Sequence, residues 1–106
     1  MKILLTCASG MSTSLLRNSI LEECKKREGN FEVWEVPAGK LEENIDKADV
    51  VLLGPQIRYR LSEFKKLGQK NNTPVEVINS QHYGTMDGKK ILEFAIKIKE
   101  GFNNDK

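Results

Sequence analysis

The chain has 106 residues, 39% hydrophobic and 30% charged, which suits one soluble globular domain over residues 1–106 and is too short for two. Seventeen Lys and Arg against 15 Asp and Glu leave a net charge of +2 with no basic stripe, which argues against a nucleic-acid partner. The longest apolar runs are four residues, as in Val50-Val51-Leu52-Leu53, far below the ~20 of a membrane helix, so a cytoplasmic protein with no segment inserted in a membrane is expected.

Residues 2–6 read as a buried strand that runs into a loop of small residues. From Ser12 to about Arg27 the pattern turns helical: Leu16, Ile20 and Cys24 recur every fourth residue, and Gly29-Asn30 supplies a stop. Residues 31–36 read as an edge strand with Phe31, Val33 and Trp34 set against Glu32 and Glu35, ended by Pro37. A short helix is expected from about Lys40 to Lys47. Asp49 to Gly54 carries the clearest strand, because four consecutive apolar residues suit a central parallel strand covered on both faces.

Gly54-Pro55-Gln56 breaks that strand. A helix from roughly Tyr59 to Gln69 follows, with Leu61, Phe64 and Leu67 inward, and then a turn at Asn71-Asn72-Thr73-Pro74. Val75 to Ile78 is the fourth strand, and Asn79 to Tyr83 reads as a polar loop. Asp87 can cap a last helix whose apolar face is Ile91, Leu92, Ala95, Ile96 and Ile98; the tail from Gly101 to Lys106 reads as frayed.

The order βαβαβαβα implies an α/β fold: a single three-layer sandwich, its four-stranded parallel sheet in the order 2-1-3-4 with helices on both faces, as in flavodoxin. The topological switch point then lies between strands 1 and 3, at their carboxyl ends. That puts Cys7 beside Gly54-Pro55-Gln56.

Cys7-Ala8-Ser9-Gly10-Met11-Ser12-Thr13-Ser14 joins the first strand to the first helix. A thiol there meets unpaired N–H groups and the positive end of a helix dipole, which favour its thiolate and any phosphate bound to it. Gly10 allows a close backbone approach, and Ser9, Ser12, Thr13 and Ser14 add hydroxyl donors. Cys7 is therefore read as a phosphoryl carrier, against the plainer reading of a buried strand-end cysteine. Cys24 lies on the apolar helical face and reads as core. It sits about 20 Å down the helix axis, at ~1.5 Å per residue, so no Cys7–Cys24 disulfide is expected. Two cysteines and one histidine without clustered spacing suggest no metal, and no cofactor motif stands out.

A low-molecular-weight cysteine phosphatase is the alternative reading. It needs Cys-x5-Arg and a carboxylic acid for the leaving group. The sixth residue after Cys7 is Thr13, the nearest arginine is Arg17 one helical turn beyond, and no Asp or Glu falls in the expected strand-end loops. A loop that cradles phosphate without the parts for hydrolysis suits a carrier. A receiver-like binding module is a further rival; it needs a strand-end aspartate, whereas Asp49 begins strand 3.

Cys7 through Leu16, Ala48 through Ile57, Pro74 through Ile78 and Tyr83-Gly84 resemble the lactose/cellobiose-type enzyme IIB subunits of the bacterial phosphoenolpyruvate-dependent sugar phosphotransferase system, nearest to the cellobiose or chitobiose branch. The resemblance spans about the whole chain. It implies that Cys7 takes a phosphoryl group from a phosphohistidine of enzyme IIA and passes it to a β-disaccharide held by the membrane transporter enzyme IIC. It also implies a phosphate-binding loop from Ala8 to Ser14. A rim that meets two partners in turn is expected to expose Cys7, with Met11, Gln56, Ile57, Tyr59 and Tyr83 as contacts. His82 reads as a solvated loop residue rather than a second relay, and Gly84 to Lys90 fails the spacing of a nucleotide P-loop.

Overall fold

Four consecutive apolar residues, Val50 to Leu53, form β3, and in the computed structural model every one is buried. Their side chains alternate: Val50 and Leu52 enter one core, Val51 and Leu53 the other. The structure describes residues 1–7 and 13–104. β1 (Lys2–Cys7), β2 (Glu32–Pro37), β3 (Val50–Leu53) and β4 (Val75–Val77) make one parallel sheet in the order β2-β1-β3-β4. The expected strand order and α/β class are those observed.

On one face α1 (Thr13–Cys24) and α5 (Gly88–Asn104) cover Ile3, Leu5, Val33 and Leu52, with Leu16, Ile20, Ile91 and Leu92 between the layers. On the other, α2 (Leu41–Asn44) and α3 (Leu61–Lys70) contribute Leu41 and Phe64 to a core with Leu4, Val51 and Leu53. Removing each such side chain from water contributes about 1.5–3 kcal/mol. β1 lies in the middle, paired with β2 through all six residues and with β3 from Ile3 to Thr6. Its start is pinned where the Lys2 N–H donates to Asp49 Oδ2 at 2.7 Å.

Several boundaries differ from expectation. The first helix ends at Cys24 rather than Arg27, and the chain turns back through Gly29, whose φ of +115° is open to glycine and costly for other residues. Ser12, its expected start, lies outside the described residues. The helix expected over 40–47 is three short pieces, 3-10 turns at Ala38–Lys40 and Ile45–Lys47 flanking α2. α3 starts at Leu61, and Tyr59 belongs to the preceding 3-10 stretch Pro55–Arg60. The supposed loop at Asn79–Tyr83 holds a helix, α4 (Ser80–Gly84), because Asn79 Oδ1 accepts from the N–H groups of Gln81 and His82 at 2.8 and 3.2 Å. Residues 101–104, read as frayed, continue α5. Asp87 caps that helix as expected, accepting the Lys90 N–H at 3.1 Å.

β2 corrects another reading. Val33 packs under α1 and α5, whereas Trp34 packs with Val36 on the opposite face. Neighbouring strand residues point to opposite faces, so Val33 and Trp34 cannot share one. By the same alternation Glu35 falls on the Val33 face.

α1 and α5 approach closely at Gly88. A Cβ there would sit 2.3 Å from the Ser19 carbonyl oxygen and 2.9 Å from the Ile20 nitrogen, both main-chain atoms. Gly88→Ala is expected to separate the two helices and cost about 2 kcal/mol. Thermal unfolding followed by far-UV circular dichroism should show a Tm lowered by roughly 10 °C.

Candidate functional site

Cys7 ends the central strand, where the chain leaves the sheet. Its strand partner on β2 is Pro37, and across the seam with β3 the Gly54 N–H donates to the Thr6 carbonyl at 2.9 Å. Gly54 fits closely against the cysteine. A Cβ at Gly54 would lie 3.2 Å from Cys7 Cβ and 2.7 Å from Gln56 Oε1. The missing side chain thus leaves room for the thiol and lets the Gln56 amide fold back toward it. The expected juxtaposition of Cys7 with Gly54-Pro55-Gln56 is present.

Cys7 is only 4% exposed, contrary to the expectation of an open nucleophile. Pro37 of β2 flanks it on one side and Gly54 lies against its Cβ on the other. Cys24 is also buried, at the far end of α1. Burial pushes the Cys24 thiol above its ordinary value of 9.0.

Ala8, Ser9, Gly10, Met11 and Ser12, the core of the expected phosphate loop, lie outside the described residues. Thr13 begins α1. The Ser14 hydroxyl donates to Glu35 Oε1 at 2.7 Å, so its proton serves β2 rather than a phosphate. That bond seats the first turn of α1 over the carboxyl half of β2, and α1 carries no acidic residue in that turn to offset its dipole. Arg17, one turn on, brings Nη1 to 3.9 Å from the same carboxylate oxygen.

Glu35 is the residue that sequence reasoning passed over. The alternation read for residues 31–36 sets it with Glu32 as the polar side of β2. The signal that could have found it is parity: residue 35 shares a face with Val33, so an acid there lies beneath α1.

A groove of about 540 Å³ runs beside the site, lined by Pro55, Gln56, Arg58, Tyr59, Ser80 and Tyr83. Tyr59 is 78% exposed, Gln56 is exposed, and Tyr83 is half-buried against the α1/α5 core. Ile57 is not at the rim. It is 1% exposed and packs in the α2/α3 core, because the 3-10 stretch turns it inward. Met11 falls outside the described residues. His82 is half-buried on α4.

Arg60 is committed elsewhere. It grips Glu63 with Nε at 3.0 Å and Nη2 at 2.9 Å and lies 4.5 Å over the Phe64 ring. The hydrogen bonds from Arg60 hold the Glu63 carboxyl below the usual carboxylate range. A second cleft, about 780 Å³ beside Asn18, Cys24 and Phe31, lies at the opposite end of the sheet from Cys7.

A sequence model of the family described as "PTS system, Lactose/Cellobiose specific IIB subunit" matches residues 2–94. The oligo-beta-mannoside-specific EIIB component of Bacillus subtilis is 44% identical over 97 residues, covering 92% of this chain and 94% of that protein. The solution structure of the cellobiose-specific phosphotransferase IIB component of Borrelia burgdorferi superposes with a TM-score of 0.77 at 39% identity, covering 98% and 93% of the two chains. The lactose-specific IIB domain of Streptococcus pneumoniae superposes with a TM-score of 0.83 at 21% identity, covering 92% and 96%, a likeness of fold.

Tyr59→Asp is expected to leave Tm within about 2 °C, as exposed substitutions do, whereas Ile57→Asp places a charge in the core and should cost at least about 3 kcal/mol. Chemical denaturation of both variants checks the contrast. The raised Cys24 pKa has a pH consequence. Below about pH 9 the thiol is protonated in both folded and unfolded chains, and its contribution is intact. As pH rises further the unfolded thiol ionises first, so stability falls. Denaturation midpoints above pH 9 should therefore decline more steeply in the parent than in Cys24→Ala.

Proposed function

Because the chain belongs to the lactose/cellobiose-specific IIB family of the sugar phosphotransferase system, we propose that Cys7 is its phosphoryl-carrying residue. One observation carries the reading: the cysteine ends the central strand at the switch point of the sheet, within the stretch that the family matches. The functional unit is residues 1–106, working in the cytoplasm as a sugar-specific phosphotransferase component. The donor is a phosphohistidine of enzyme IIA. The acceptor is a sugar held by the membrane transporter enzyme IIC.

The chemistry is two in-line displacements. The Cys7 thiolate attacks the phosphorus of phosphohistidine, an S–P bond forms, and the N–P bond breaks with its electron pair returning to the imidazole. N–H groups of the segment Ala8 to Ser14 steady the equatorial oxygens. A sugar hydroxyl then attacks the phosphorus, gives its proton to a base at the sugar site, and the S–P pair returns to sulfur. Burial around Cys7 supports the carrier role, since an S–P bond kept from bulk water lasts until its acceptor arrives. The same burial means that partner docking must uncover the sulfur. The groove between Gln56, Tyr59 and Tyr83 is the surface that such a partner would grip.

Of the relatives named above, the two at 44% and 39% identity are described as oligo-beta-mannoside-specific and cellobiose-specific. A β-linked disaccharide is therefore the substrate class we assign.

The test is phosphorylation by phosphoenolpyruvate, the general phosphotransferase proteins and enzyme IIA, read by intact-protein mass spectrometry. One phosphoryl adduct is expected on the parent and on Cys24→Ser, and none on Cys7→Ser. An adduct surviving Cys7→Ser overturns the assignment. Sustained Cys7-dependent turnover of p-nitrophenyl phosphate would make the protein a phosphatase instead.

A further inference from the structure

Two arginine–glutamate pairs on this chain differ in a way that packing alone does not explain. Arg60 and Glu63 meet fork to fork, at 3.0 and 2.9 Å, the geometry of a structural ion pair. Arg17 and Glu35 do not. Their nearest approach is 3.9 Å, and Arg17 Nε and Glu35 Oε2 are both withdrawn from solvent with no hydrogen-bond partner among the described residues. A guanidinium and a carboxylate, each with an unsatisfied buried atom, sit side by side without closing the bonds open to them. Such groups are costly to leave unmade.

The pair lies on the Cys7 side of the sheet. Glu35 pairs with Leu5, and Leu5 and Cys7 point to the same face because they are two residues apart on one strand. Two residues of rise and one strand spacing put the Glu35 and Cys7 Cα atoms about 8 Å apart. Glu35 Oε1 is also tied down by the Ser14 hydroxyl. Arg17 is thus held by its second nitrogen to a carboxylate already in use, with its Nε unspent.

We propose that the Arg17 guanidinium binds the phosphoryl group carried on Cys7, and that Glu35 is the positioning residue that holds Arg17 until that group arrives. The inference rests on the phosphocysteine reading above and adds to it an arginine that the spacing Cys7 to Thr13 lacks. Physical chemistry supports the exchange. A phosphoryl dianion offers more charge and more acceptor oxygens than one carboxylate shared with a serine, and the planar fork of arginine matches it. Without Arg17, the Glu35 carboxylate would repel the phosphoryl group. With Arg17 between them, the repulsion becomes a bridge. The same restraint keeps the arginine off the sulfur in the unloaded protein.

The experiment is the equilibrium partition of phosphoryl between enzyme IIA and Cys7, measured by mass spectrometry for the parent, Arg17→Met, Glu35→Gln and the double variant. Arg17→Met should lower the ratio of phosphocysteine to phosphohistidine by about threefold to tenfold, the range for a partly exposed arginine–anion contact. Glu35→Gln keeps an oxygen for Ser14 and releases Arg17, so it should raise the ratio by about twofold to fivefold. In the Arg17→Met background Glu35→Gln should lose that effect. The 31P resonance of the phosphoprotein should also shift on Arg17→Met. If Arg17→Met melts early, Arg17→Lys gives the same reading, with an intermediate ratio, since charge remains and the fork is lost. An unchanged ratio in Arg17→Met and Arg17→Lys, or a Glu35→Gln effect that persists without Arg17, overturns the proposal. Failure of the parent to accept phosphoryl on Cys7 overturns the preceding reading, and this one with it.

Discussion

The burial of β1 is the constraint on which the rest depends. The strand is paired on both edges and covered on both faces, and Ile3, Leu4, Leu5 and Thr6 are at most 1% exposed. Its register is therefore locked, since a slip of one residue would exchange the two cores. The strand's end cannot wander, and neither can the thiol attached to it. Everything that adjusts the environment of Cys7 must come from neighbours: Gly54 on one side, the carboxyl half of β2 on the other, and the turn into α1.

These neighbours are unlike one another. On the β3 side the contact is steric: a glycine stands where any side chain would press on Cys7 Cβ. On the β2 side it is electrostatic, with Ser14, Arg17 and Glu35 joined across the seam between α1 and the sheet. The other face carries its charges at the periphery, where Arg60 and Glu63 satisfy each other and Arg60 shields Phe64. Among the described residues the buried side-chain polar atoms without a partner are Thr6 Oγ1, which alternation puts on the α2/α3 face, and Arg17 Nε and Glu35 Oε2 on the face that Cys7 shares. Orphaned groups of this kind are uncommon, and two of them, the donor Arg17 Nε and the acceptor Glu35 Oε2, lie on the cysteine's side of the sheet.

Burial and reactivity also meet at this point. The carrier role proposed for Cys7 requires that it be reachable by two partners and yet hold its cargo away from water. The thiol is covered, while the adjoining groove exposes Tyr59 and Gln56. On that proposal, docking at the groove is coupled to uncovering the sulfur. Ile57, turned into the core between these exposed residues, packs in the cluster that holds Val51 and Leu53 of β3.

Length, composition and periodicity were enough for the class, the strand order and the place of Cys7. The run Val50 to Leu53 can only be a strand covered on both faces, and alternating βα units leave few arrangements open. What misled was local. A five-residue helix such as α4 has too few turns to show a period, and only the Asn79 side chain, bonded to Gln81 and His82, marks where it begins. The grouping of Val33 with Trp34 ignored strand parity and so hid Glu35. Ile57 follows Gln56 in the stretch expected at the rim, and its inward turn depends on a core assembled from distant strands. By itself the sequence determined which residues seek burial and which residue could carry a phosphoryl group. The tertiary structure decided which polar groups meet beside it, because Ser14, Arg17 and Glu35 come together only when α1 packs across the β1–β2 seam.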